Sequence, residues 1–503
     1  MDSKTRRGEP TPPIEVAGGA ASATAHLGGA QVIVPDPVVE RLRSACGEVS
    51  TDHATLAEAS RDWWPLAMTW ATEGQVAALA QVVARPADAA QVAAVLGICN
   101  EAAVPVTAAA GRSGVCGASV PVHGGVVLDL TALSGIVDVD DESLTLDVRA
   151  GTFGNVLEDE LRAGYAKTLG HWPQSIDLST VGGWLACRSA GQFSNRYGKI
   201  EDIVIGLDVV LADGRQIATG GAPRQAVGPD LNQVFVGSEG TLGVITGARL
   251  KLHDLPEHTA TAAYGLGSVA GALDMMRRVM RRGAHPAVLR LYDATEADRT
   301  YATGADVNLV LAYDEGDAAI VETTMAIVAE EAARAGASEQ DRAHVDRWLG
   351  HRNDVAALEA LISKGYVVDT MEIAAPWAKL PAIYDATVAA LIGVEGTIAA
   401  SAHASHSYLD GGCLYFTFAG KVDPATRDAY YRSLWDAGQG AVLAEGGALS
   451  HHHGVGLNRS RFVPRALGPA FDVLTALKNA LDPNGILNPG KLGLPSPFGE
   501  VGY

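Results

Sequence analysis

Thr107-Ala108-Ala109-Ala110-Gly111-Arg112-Ser113-Gly114-Val115-Cys116-Gly117 is built almost wholly from small residues. Small side chains let consecutive backbone N–H groups turn toward one anion, making a nest suited to pyrophosphate, and Arg112 offers a charge-assisted contact beside it. Taken alone, such a loop reads equally well as a plain turn. Three more stretches of the same character follow: Gln174 to Gly183, Cys187-Arg188-Ser189-Ala190-Gly191, and Gly237-Ser238-Glu239-Gly240-Thr241-Leu242-Gly243-Val244-Ile245. None has the Gly-x-Gly-x-x-Gly spacing of a strand–turn–helix dinucleotide fold. A lone glycine in any of them is a structural feature, but together in one module they point to a long ligand threaded between loops. The first loop supplies Ala109, Ala110, Gly111, Arg112, Ser113 and Gly114 as candidate contacts. Gln174, Asp177, Ser179, Thr180 and Gly183 come from the second stretch, and Cys187, Arg188, Ser189 and Ala190 from the third. The fourth adds Glu239, Gly240, Gly243, Val244 and Ile245.

Outward from these loops the pattern is that of an α+β module. Ala87 to Ala103 has apolar residues at helical spacing (Val92, Val95, Leu96, Cys99). Val126 to Leu130, Ile136 to Val139 and Leu144 to Val148 read as short strands, and Phe153 to Gly164 as a helix. Val204 to Ile217 reads as a hairpin turning at Ala212-Asp213-Gly214, with another strand at Leu242 to Leu252. The first thirty-odd residues read as a loose arm. Beyond Pro256, strands at Val288 to Tyr292, Val307 to Tyr313 and Cys413 to Phe418 lie among Ala-rich helices such as Ala318 to Ala335. That alternation predicts a single antiparallel sheet covered by helices on one face. The tail carries a His run, a helix at Leu467 to Leu481 and an Asp482-Pro483-Asn484-Gly485 stop.

The chain's 503 residues suggest two or three domains, and 48% apolar against 19% charged residues is ordinary globular composition. A net charge of -20 excludes a general binder of nucleic acid. No apolar run reaches the roughly 18 residues of a membrane span, and no signal-peptide core follows the N-terminus. Five scattered cysteines with no Cys-x-x-Cys pair argue for a reducing compartment and against a disulfide framework or a zinc site. These features predict a cytoplasmic protein, with peripheral membrane contact left open.

His451-His452-His453 is the most unusual chemical feature. On an extended segment His451 and His453 would share one face and His452 the other. The run reads as a solvated loop, as a metal site, or as acid/base and anion-handling groups near neutral pH. No Cys or carboxylate cluster stands at ligand spacing, so no metal is expected. Tyr415, in the apolar strand Cys413 to Phe418, reads from pattern as a core tyrosine, and Arg290 as a strand-edge charge.

The order of the four small-residue stretches, with Asn484-Gly485-Ile486-Leu487-Asn488-Pro489-Gly490-Lys491, resembles the FAD-binding domain of the vanillyl-alcohol oxidase and para-cresol methylhydroxylase class. Four further stretches resemble its alkyldihydroxyacetonephosphate synthase branch: Pro173 to Trp184, Arg196 to Asp202, Ser405 to Phe416, and Ser450 to Gly456. The likeness spans about residues 86–492. It implies an FAD domain of residues 60–255, preceded by an arm and helical segment (1–59). A cap follows (256–440), then a C-terminal segment (441–503) returning to the FAD domain. The flavin ring would lie between FAD domain and cap.

The resemblance places Tyr415 at the branch's active-site tyrosine, matches the His run to a motif needed for activity, and matches Arg290 to a functional arginine. Arg352 is a candidate substrate arginine upstream of Glu372-Ile373-Ala374-Ala375-Pro376-Trp377, though the interval is longer than the branch's. A surface charge is the competing reading. The branch's first loop is usually Gly-Gly-Gly-Thr-Ser, and the alanines here restrict backbone approach to a pyrophosphate. His171 and Cys187 lie near the implied site without marking an attachment point, so FAD is expected to be noncovalent.

The leading expectation is exchange of the acyl group of an acyl-dihydroxyacetone phosphate for a fatty alcohol, with no net redox. Tyr415 and the histidines would manage protons, and Arg290 and Arg352 would hold the anion. The alternative is oxidation of a 2-hydroxy acid or alcohol. A flavin-binding scaffold without catalysis is a third reading, opposed by the intact Tyr415 and His run. Homodimerisation is a further expectation of the resemblance.

Overall fold

The computed structural model describes residues 7–27, 29–501 and 503; the first six residues of the expected arm lie outside the described residues. The described part of the arm is packed rather than loose. Ile14, Val16 and Ala23 are buried in one cluster with Met68 and Ala71, and Thr24–Ala25 pairs with Gln75–Val76. Its small-residue composition hid those apolar anchors.

A four-stranded sheet runs in the order Glu48–Ser50, Val82–Arg85, Val126–Asp129, Val106–Ala109. The last three strands are parallel and rich in valine, as strands covered on both faces should be. Helix Ala89–Glu101 covers it, started by the Asp88 carboxylate, which accepts from Gln91 N. Beside it lies a five-stranded antiparallel sheet of Gln216–Gly220, Val204–Val210, Val244–Lys251, Thr145–Arg149 and Ile136–Asp140. The expected hairpin is present, and Gly214 holds its turn at φ 84°.

The cap contains a seven-stranded sheet, antiparallel at every pairing. Its helices were expected on one face, but they cover both. Along Val288–Tyr292 successive side chains alternate. Leu289 and Leu291 pack in the cluster of helices Val269–Arg281, Ala318–Arg334 and Leu380–Ile392. Val288 and Tyr292 pack on the opposite face with Tyr301 and Trp348, from helices Ala294–Tyr301 and Ala343–His351. The second face carries an apolar patch that these helices cover, while its Arg290, His403 and Tyr415 are left to an open space. Residues 64–78 also pack in this cap cluster, through Trp64, Leu66 and Trp70.

After helix Ala470–Leu481 the tail returns to the first sheet. Val106 N donates to Ile486 O, and Asn488 N donates to Val106 O. The buried Lys478 Nζ donates to Thr241 O at 2.9 Å and Leu487 O at 2.8 Å, and Lys491 Nζ to Val120 O at 2.7 Å. Among the described residues no helix is long and apolar enough to cross a membrane.

Candidate active site

A cavity of about 780 Å³ is lined by the small-residue loops, by the sheet face of the cap and by the tail. That is within the roughly 300–1,000 Å³ range of ligand sites. All six candidates of the first loop line it. A Cβ on Gly111 would stand 2.2 Å from Leu178 O, so the first loop and second stretch meet backbone to backbone. Arg112 adopts φ 55° and lies 3.2 Å from the buried Asp129 carboxylate, which shares its charge.

In the second stretch Gln174, Ser179, Thr180 and Gly183 line the cavity and Asp177 does not. Leu178 N and Ser179 N both donate to Ser175 O, closing one helical turn. Ser175, Leu178 and Ser179, at i, i+3 and i+4, therefore face the cavity, and Asp177 falls on the other side. In the third stretch Cys187, Ser189 and Ala190 are lining residues and Arg188 is not. Arg188 ends helix Val181–Cys187 at φ 56° and lies 3.5 Å from Glu201. All five candidates of the fourth stretch line the cavity. Glu239 spends its carboxylate elsewhere, accepting from Val455 N at 2.5 Å and Gly456 N at 2.9 Å, which ties this loop to the tail.

The catalytic candidates meet at the cap end. Antiparallel register sets His403 and Glu372 on either side of Tyr415. The Tyr415 ring stacks on His403 at 4.6 Å and meets the edge of His453 at 5.5 Å. Its hydroxyl donates to Thr370 Oγ1 at 3.0 Å, and burial pushes its pKa up, so it is a phenol.

The His run is a bend, not the extended segment its alternation suggested. Glu372 Oε1 accepts from the backbone N of His451, His452 and His453 at 3.3, 2.9 and 2.6 Å, which forces a turn. His452 and His453 line the cavity. His451 does not; its Nε2 pairs with the Tyr408 hydroxyl at 2.8 Å and its Nδ1 with His452 Nδ1 at 2.8 Å. Burial holds all three imidazoles below their ordinary pKa, so they are neutral at pH 7. His406, His451 and His452 each bring a ring nitrogen within 4.8 Å of the others, an arrangement able to hold a cation that spacing in the sequence did not reveal.

Both arginines reach the cavity. Arg352 lies over the rings of Trp172 and Phe193, and its Nη1 donates to Gln192 Oε1 at 2.9 Å. Arg290 bonds Tyr292 and His403. Cys187 is a thiol, its pKa pushed up by burial. His171, buried and pushed down to about 3, has neither ring nitrogen bonded within the protein.

Sequence reasoning missed Glu372, Arg459, His403, His406 and Glu296. For Glu372, His403 and His406 the alternation of Val367–Pro376 and Thr397–Ser407 was the available signal, since each strand sets polar residues among apolar ones; Arg459 and Glu296 lie outside both strands.

The lining fits a flavin dinucleotide. Thr180 Oγ1 and Ser238 Oγ, both on the cavity, are buried without a protein partner, and an unmet hydroxyl costs about 1–3 kcal/mol. A cofactor rich in acceptors meets that need. The family model "FAD binding domain" matches residues 80–220, and "FAD linked oxidases, C-terminal domain" matches residues 255–492. The chain is 33% identical over 406 residues to the "uncharacterized FAD-linked oxidoreductase YgcU" of Escherichia coli (strain K12), covering 77% of this chain and 83% of that protein. It is 28% identical over 456 residues to the alkyldihydroxyacetonephosphate synthase of Dictyostelium discoideum, covering 83% and 74%. A solved alkyldihydroxyacetonephosphate synthase structure superposes with a TM-score of 0.77 at 22% identity, over 96% of this chain and 89% of that one. The fold is thus the vanillyl-alcohol oxidase type. With FAD as its cofactor, the chain belongs to the FAD-linked oxidase family.

Proposed function

We propose that the protein oxidises the hydroxyl-bearing carbon of a small anionic substrate. The carrying observation is the polarity of the cap side of the cavity. Among the described cap residues that line it, only Val355 and Leu358 are aliphatic, and the wall is otherwise arginine, histidine, aromatic and hydroxyl groups with Glu296 and Asp354. A long acyl chain gains roughly 0.8 kcal/mol per buried CH2 only against apolar walls. An anion carrying a hydroxyl suits this wall.

FAD, when bound, supplies the two-electron acceptor for the hydride leaving the carbinol carbon. The hydroxyl proton must then leave for the carbonyl to form. His453 and His452, neutral and on the cavity, accept it. Tyr415, protonated beside them, turns its one O–H from Thr370 Oγ1 to donate a hydrogen bond to the substrate oxygen. Arg290 and Arg352 hold the anion, the planar guanidinium suiting a carboxylate or phosphate.

The second reading is the synthase exchange of an acyl group for a fatty alcohol, favoured by the meeting of Tyr415 with the His run in one site. Anaerobic flavin absorption separates the two. Bleaching by a 2-hydroxy acid, reversed by oxygen or a dye, supports oxidation. Alkyl product from acyl-dihydroxyacetone phosphate plus fatty alcohol, with the flavin back in its oxidised form without oxygen or a dye, establishes the exchange instead.

A further inference from the structure

Arg290 Nη2 lies 2.7 Å from His403 Nε2, and His403 Nδ1 lies 2.9 Å from Glu296 Oε1. A guanidinium only donates, so Nε2 must accept and the imidazole proton must sit on Nδ1. From there it donates to Glu296. The tautomer is therefore imposed from both ends, and the carboxylate is itself held by Ser401 Oγ at 3.3 Å. Arg290 Nε donates to the Tyr292 hydroxyl at 2.7 Å, and its guanidinium carbon lies 5.8 Å from the Trp348 ring. Arg290, His403 and Glu296 all line the cavity, and Tyr415 stacks on the same His403.

We propose that Glu296 and His403 are positioning residues that lock the Arg290 guanidinium as the anchor for the substrate's anionic group, with Glu296 acting through His403. Resting on the anionic-substrate reading, this assigns a role to a carboxylate that simple electrostatics would count against anion binding. The two accounts predict opposite signs. A negative charge that merely repels the ligand would, once removed, tighten anion binding. A carboxylate that orients Arg290 would, once removed, loosen it.

The test titrates FAD-loaded enzyme with oxalate and, separately, with inorganic phosphate, following the flavin's visible absorption. Glu296→Ala is expected to raise the anion dissociation constant about tenfold or more. Glu296→Gln, whose amide oxygen still accepts from Nδ1–H, should recover most of that loss. In a His403→Gln background, Glu296→Ala should add less than about twofold, because the two substitutions break one path. Anion binding unchanged or tightened in Glu296→Ala, or effects that multiply independently in the double variant, would overturn the proposal. If Glu296→Ala fails to fold, Glu296→Met, which removes the acceptor of the Nδ1–H while keeping the side-chain length, takes its place in the same cycle. Wild-type enzyme responding to neither anion would instead remove the anionic-substrate reading, and the anchor with it.

Discussion

Arg459 donates to the Glu372 carboxylate at 2.5 Å, with neither side chain reaching solvent. The other oxygen of Glu372 gathers the backbone of the three histidines. One buried ion pair therefore sets the shape of the turn that carries the three histidines. Glu372→Gln keeps an acceptor for the backbone but strands the guanidinium, and breaking such a pair costs about 3–5 kcal/mol. A clear fall in Tm at pH 7 is expected. Burial opposes ionisation of Glu372, but the Arg459 guanidinium against it holds its carboxyl well below the usual range. A depressed folded pKa gives stability above the unfolded value of about 4.3, lost as pH falls through the folded one. The gap between wild type and variant should narrow below about pH 4.

Tyr415→Phe keeps the stack on His403 and removes only the hydroxyl bonded to Thr370. Turnover is expected to fall by about 10²–10⁴, the range of acid/base contributions, with FAD content and Tm preserved. Turnover equal to wild type would remove Tyr415 from the chemistry.

Burial first, and like charges nearby second, keep the His452 pKa well below its ordinary value near 6.5, and burial lowers that of His453. A base must be unprotonated, so kcat/KM should rise with pH along a limb centred below 6.5 and stay level from 7 to 8. A limb centred above pH 7 in a pH–rate series would assign the base elsewhere.

Acid precipitation should leave a colourless pellet and a yellow supernatant, because the buried Cys187 stays a thiol and makes a poor attacking group. Thr180→Ala and Ser238→Ala should each weaken FAD retention several-fold in equilibrium dialysis, since each deletes a hydroxyl with no protein partner. Flavin remaining in the pellet would show a covalent link.

The small-residue loops were legible because close backbone approach leaves no choice of residue. At Gly111 a Cβ would strike Leu178 O, and such a demand is written locally. The strands Val126–Asp129 and Val288–Tyr292 were legible for a similar reason, their valines and alternating leucines being short-range patterns. Asp177 and Arg188 stand off the cavity because neighbours in one stretch do not share a direction. One turn of helix sends Asp177 away while Ser175 and Ser179 face inward.

The cluster of Tyr415, the His run and the carboxylates around them depended on contacts far apart along the chain. Composition, charge and the spacing of small residues determined a globular α+β protein with a long ligand threaded between loops, since those constraints act between neighbours, and the resemblance those stretches carry named the ligand as FAD. Which polar residue meets the His run was not a local matter. Glu372 lies about eighty positions from His453, and the fold carries the bend of the tail to the strand so that its carboxylate accepts from His453 N at 2.6 Å. Glu296 and His403 are similarly separated and meet at 2.9 Å. A buried carboxylate must find its donors wherever the fold delivers them, so only the tertiary structure decided these pairs.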